Sequence, residues 1–88
     1  MLNRKIILGG GSVNKYEDYY KQLAFNIAYY RKKIGLTQIQ LAEKVGISRT
    51  HMSNIEAPNV PTPFSSTTLF KITDALGVEL VDLFDFKK

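Results

Sequence analysis

Between Thr37 and Ala57 the chain carries two short helical patterns separated by one glycine, each opened by a hydroxyl residue. This stretch restricts the possible folds more than any other. Thr37 can cap the first helix, with Gln40 three residues on to reach back, and Leu41, Ala42 and Val45 share its inward face. Gly46 stops it. Ser48 caps the second helix, from Arg49 to about Ala57, whose inward residues are Met52 and Ile55. Two helices that cross over a short turn need a small side chain where they meet, and Ala42 supplies it. The turn needs a residue that tolerates positive φ, and Gly46 supplies that. Ile47 follows and points into the core. The opposite face of the second helix is left to Arg49, Thr50, Ser53 and Asn54, whose spacing makes one polar stripe.

The flanking segments also read as helices. Asn14 can cap a long helix from about Lys15 to Ile34, with Glu17 as its reciprocal partner. Tyr16, Tyr19, Tyr20, Leu23, Ile27, Tyr30 and Ile34 recur at three- and four-residue spacing and form its apolar stripe. Gly35 ends it. After the central pair, Pro58, Pro61 and Pro63 forbid helix and impose an extended loop. Ser65 caps a fourth helix over 66–76, with Leu69, Ile72, Ala75 and Leu76 inward and Gly77 as its stop. Leu80, Leu83 and Phe84 give a short fifth helix that closes the core. The expected fold is therefore all-α, with five helices in one domain over residues 14–88.

Residues 1–13 stand apart. Ile6-Ile7-Leu8 and the linker Gly9-Gly10-Gly11-Ser12 read either as a flexible tail or as a short strand that pairs with another subunit. Arg4-Lys5 before that apolar triplet superficially resembles a secretion signal, but the apolar part is too short. No apolar run approaches the roughly 18 residues of a membrane-spanning helix, so no membrane role and a cytoplasmic setting are expected. Without cysteine, neither disulfides nor a Cys-based zinc site can staple the fold. The net charge of +4 is uneven: +5 accumulates up to Ala57, and the remainder carries −1. A basic front half suits a polyanionic partner.

The segment from Thr37 to Ile55 resembles the helix-turn-helix of the phage repressor, Cro and Xre-type family, through Gln38, Ala42, Gly46, Ile47, Met52 and Ile55. The resemblance extends from about Ile27 to Phe84, through Gly35-Leu36-Thr37-Gln38 before the motif and Leu69, Ile72 and Ala75-Leu76-Gly77-Val78 after it. It implies a compact five-helix bundle. It also implies base reading by Arg49, Thr50, Ser53 and Asn54. Side-chain chemistry agrees: Arg can bond guanine O6 and N7 together, Asn can bond adenine N6 and N7, and a threonine methyl can touch that of thymine. Gln38 and Ser48, at helix starts, are expected to meet phosphates. In the family the positions of Arg31 and Glu56 form a partly buried ion pair. The chain departs from the pattern in a longer loop after Glu56, with Ala57-Pro58-Asn59 where a glycine-containing turn is usual. Its first helix is also extended, and residues 1–13 lie outside the pattern.

The expected function is that of a sequence-specific transcriptional regulator, a repressor that binds double-stranded DNA as a homodimer on a palindromic operator. Two surfaces could join the copies. One is the C-terminal end, through Leu80, Val81 and Phe86. The other is Ile6-Ile7-Leu8 with the surplus tyrosines, in which case deleting residues 1–13 weakens dimerisation. The rival reading is an antitoxin-type module that neutralises a toxin and regulates itself through the same fold. No cofactor is implied. His51 is the single histidine and reads as a groove-edge or surface residue, because neither metal ligands nor a catalytic constellation accompany it.

Overall fold

The computed structural model describes residues 16–59 and 62–86, in which five helices follow one another: α1 Glu17–Lys33, α2 Gln38–Val45, α3 Arg49–Glu56, α4 Ser66–Leu76 and α5 Leu80–Leu83. No strand occurs among the described residues. Helix α2 packs on α3 and α4, while α1 spans the bundle and touches α3, α4 and α5.

Each helix delivers one fully buried large side chain to a common centre: Ile27 from α1, Leu41 from α2, Met52 from α3, Ile72 from α4 and Leu83 from α5. Leu23, Ala42, Val45, Ile55 and Leu76 complete the core. Leu36, Ile47 and Leu69 pack against its edge. A chain this short has little apolar area to spare, so a centre shared by all five helices makes their packing mutually dependent.

The expected punctuation is present. Thr37 and Gln40 form the reciprocal cap of α2: the Gln40 backbone N–H donates to Thr37 Oγ1 at 3.0 Å and the Thr37 N–H donates to Gln40 Oε1 at 2.9 Å. Ser48 accepts from the His51 N–H at 3.0 Å, and Ser65 from that of Thr68 at 3.0 Å. Gly46 has φ +86°, and its N–H and that of Ile47 both donate to the Ala42 carbonyl, at 2.8 and 3.0 Å. These bonds turn the chain sharply from α2 into α3. Gly35 and Gly77 end α1 and α4 in the same left-handed region.

The ends of the bundle need closer description. The expected start near Lys15 and the expected cap Asn14 both lie outside the described residues; within these, α1 runs from Glu17 with Tyr16 before it and no side-chain cap bond. The aromatic stripe of α1 is only half a core stripe. Leu23 and Ile27 are buried and Tyr30 is partly so, but Tyr16, Tyr19, Tyr20 and Ile34 are exposed. The ends of this 17-residue helix overrun the shorter helices that cover its middle. In α5 only Leu83 reaches the centre, whereas Leu80 and Phe84 are exposed. A four-residue helix presents little more than one turn, and Phe84 lies about 100° round the axis from Leu83. Phe86 instead packs against the core edge and stacks on Tyr19, with ring centroids 6.2 Å apart.

Asn26 is a buried polar residue on the inner side of α1, 2% exposed. Its Nδ2 donates to the carbonyls of Leu83 at 2.9 Å and Asp85 at 3.1 Å. The last carbonyls of a helix lack helical partners. Asn26 satisfies the last carbonyl of α5 and one two residues beyond it, and so ties the C-terminal segment to α1.

Candidate nucleic-acid interface

Helix α3 has two chemically distinct sides. Met52 and Ile55 are buried, while Arg49, Thr50, Ser53 and Asn54 are all exposed. The structure thus brings the four expected base-reading side chains together on one open face. Ser48 lies at the start of this helix, exposed, with its hydroxyl oxygen engaged as the cap acceptor for the His51 N–H. His51 is partly covered, between the two sides.

The far end of α3 is fixed by a buried ionic contact. Arg31 Nε donates to Glu56 Oε2 at 2.7 Å and Arg31 Nη2 to Glu56 Oε1 at 3.0 Å, a two-bond fork. The side chains are 10% and 4% exposed, so the expected pair is present and almost dry. Arg31 Nη1 also donates to the Leu36 carbonyl at 2.7 Å, which holds the connection between α1 and α2. Three of the guanidinium's five N–H donors are thereby engaged, as a buried charge requires.

Gln38 joins this network. Its Nε2 donates to Glu56 Oε1 at 2.9 Å. The residue expected at a phosphate is therefore half-buried and anchored at the first position of α2. One amide N–H is committed to Glu56, and the other N–H and the amide oxygen remain. The sequence reading found Arg31 with Glu56 and separately Gln38, but not their junction. A signal existed: Gln38 begins α2 and Glu56 ends α3, and a tight turn that folds α3 back on α2 brings those ends together.

The electrostatics favour an anion on this side. Neither α2 nor α3 carries an acidic residue in its own first turn, so neither helix offsets the positive end of its dipole from within. Arg31, Lys32 and Lys33 occupy the last turn of α1. Arg31 is spent on Glu56, and Lys33 Nζ lies over the Tyr29 and Tyr30 rings, 5.8 and 6.0 Å from their centroids. Lys32 is exposed. No group of three or more His, Cys, Asp or Glu side chains that could hold a metal occurs among the described residues. No helix of the described structure is long and apolar enough to cross a membrane.

Residues 27–83, most of the described fold, match the helix-turn-helix family model HTH_3. The chain belongs to this family. It is the family of Xre/Cro-type DNA-binding regulators, so the resemblance seen in the sequence holds. Over 59 residues, 67% of the chain, this family member is 41% identical to the antitoxin HipB of Escherichia coli O6:H1. Over the same share it is 42% identical to the HTH-type transcriptional regulator SlrR of Bacillus subtilis. The matched stretch spans 61% and 38% of those relatives' own lengths. Among solved structures, the hypothetical transcription factor NHTF from Neisseria superposes with a TM-score of 0.71 at 26% identity, covering 94% of this chain and 92% of that one. The restriction-modification controller protein C.AhdI from Aeromonas hydrophila shares the fold, with a TM-score of 0.70 at 24% identity, covering 76% of this chain and 98% of that one.

Proposed function

We propose that this domain is a sequence-specific DNA-binding transcriptional regulator that places α3 in the major groove of a palindromic operator and represses by occupying a promoter. The observation that carries this reading is the open face of α3. Arg49, Thr50, Ser53 and Asn54 stand together on it, while its opposite side is pinned by Met52, Ile55 and the Arg31–Glu56 fork. An exposed polar stripe on a rigidly held helix can read base edges, because rigidity fixes which edge each side chain meets. Arg49 suits guanine and Asn54 suits adenine. Gln38 and Ser48, at the two helix starts, contact the phosphates that set the register. One such module buries too little surface for tight specific binding, so two copies bind half-sites one helical turn apart.

Selection of bound sites from random duplex DNA tests this. A recovered inverted repeat with half-sites about 10 base pairs apart, centre to centre, is the expected result. No enriched sequence is the result that defeats it.

The two relatives named above favour different classes of whole protein, an antitoxin and a regulator. A second reading is therefore that the chain neutralises a toxin and regulates its own operon through the same α3 face. Co-purification with the product of an adjacent toxin gene, and rescue of growth when both are expressed, is the outcome specific to it.

A further inference from the structure

Along the first two turns of α1 runs a largely apolar groove that the family motif does not account for. Tyr16, Tyr19 and Tyr20 line it together with Phe64, Leu69 and Phe84. Tyr19 is 56% and Phe84 44% exposed, an unusual display of ring surface for so small a domain. Neither residue is slack. Tyr19 stacks on Phe86, and the Phe84 and Phe86 ring centroids are 5.9 Å apart. The groove is therefore a preformed aromatic trough.

We propose that the trough is the docking site of the chain's own segment Ile6-Ile7-Leu8. Three considerations select this occupant. The segment is joined to the groove, since the chain enters α1 through Tyr16, itself part of the wall. The lengths agree. Tyr16, Tyr19, Tyr20 and Leu23 lie along about 10 Å of helix axis, and three extended residues cover about 10 Å. The connection permits the path. A segment that precedes α1 can lie along α1 only if the chain reverses direction first, and Gly9-Gly10-Gly11-Ser12 stands where that reversal falls. The eight steps from Leu8 to Tyr16 span up to about 26 Å, ample for a return. Tethering also favours the chain's own segment over one from solution, because a short connection holds it at roughly millimolar effective concentration. The side chains of the two isoleucines and the leucine offer aliphatic surface to the rings and carry no polar group of their own.

The full-length chain with labelled isoleucine and leucine methyls tests this by nuclear Overhauser spectroscopy without DNA. The expected result is a set of cross-peaks from the Ile6, Ile7 and Leu8 methyls to the Tyr19 and Phe84 ring protons. They should be absent from an isotope-filtered sample of mixed labelled and unlabelled chains. Ile7→Asp should abolish or strongly reduce them while leaving the methyl cross-peaks of Ile27 and Ile72 unchanged, which controls for folding. Cross-peaks that appear only between differently labelled chains would overturn the proposal in favour of an exchange between copies. Their complete absence would overturn it outright, and survival in Ile7→Asp would show that the contact is not the one described. None of these outcomes depends on whether α3 reads DNA.

Discussion

Gln38, the first residue of α2, donates a 2.9 Å hydrogen bond to Glu56, the last residue of α3. Glu56 Oε1 thereby accepts from both Gln38 and Arg31, and the oxygen is a junction of α1, α2 and α3. In the proposed complex the second amide N–H of Gln38 faces a phosphate. One side chain then links the DNA backbone to the contact that orients the reading helix. Gln38→Ala removes both links. It should weaken binding by about 1 kcal/mol, to a similar degree on specific and random duplexes. Gln38→Glu sets a carboxylate against Glu56 and against the phosphate, and should lower both melting temperature and affinity further than alanine does. Thermal melts and binding titrations on both duplexes check this; a Gln38→Glu protein as stable and as tight as the parent refutes the junction.

The Arg31–Glu56 fork is nearly dry, so breaking one side leaves a buried charge without its partner. Arg31→Met should cost about 3–5 kcal/mol of stability. Pairing it with Glu56→Leu should recover much of that loss, because two apolar side chains satisfy each other where a lone carboxylate cannot. Denaturant melts of the two single variants and the double variant measure the coupling. Strictly additive losses would show that the pair contributes no net interaction.

Gly46 sits at φ +86°, and a Cβ placed there meets nothing within 4 Å. The penalty of substitution is therefore backbone strain alone. Gly46→Ala should cost about 1–2 kcal/mol, Gly46→Val more, and Gly46→Asn less than alanine, since asparagine visits the left-handed region most readily. Melting temperatures in the order Gly, Asn, Ala, Val are expected. An alanine variant as stable as the parent contradicts the left-handed turn.

The helical frame was legible in the sequence because its signals are local. Thr37 with Gln40, Ser48, Ser65, Gly35, Gly46 and Gly77 are each read within four residues of the boundary they set. The four exposed residues of α3 were legible for the same reason, since helical period alone separates them from Met52 and Ile55. Which apolar residues end up covered depends on what lies opposite. Tyr16, Tyr19 and Tyr20 fit an apolar stripe, but whether such a stripe is covered depends on the reach of α4 and α5, which α1's own pattern does not encode. Leu80 and Phe84 fail likewise, because one turn of helix carries too little periodicity to choose between Leu83 and its neighbour. Asn26 was invisible as a buried residue: its partners are carbonyls 57 and 59 positions away.

Of the C-terminal residues expected to join two copies, Leu80 and Val81 are exposed, Val81 at 69%, while Phe86 is engaged within its own domain. Val81→Asp should leave the melting transition intact, since Val81 contributes little to the core, and should weaken self-association at least tenfold. Sedimentation equilibrium reads this directly. Unchanged association would move the dimer surface away from α5.

Arg49 carries the central claim most directly. On a duplex recovered by site selection, Arg49→Ala should lose about 1–3 kcal/mol of binding and tolerate other bases at one position of each half-site. On a random duplex of equal length it should lose much less. Circular dichroism should be unchanged, because the side chain lies on the open face of α3. Parallel titrations of both duplexes at one salt concentration decide the matter. A large loss confined to the selected site is the predicted result; equal losses on both duplexes, or none on either, would contradict base reading by this helix.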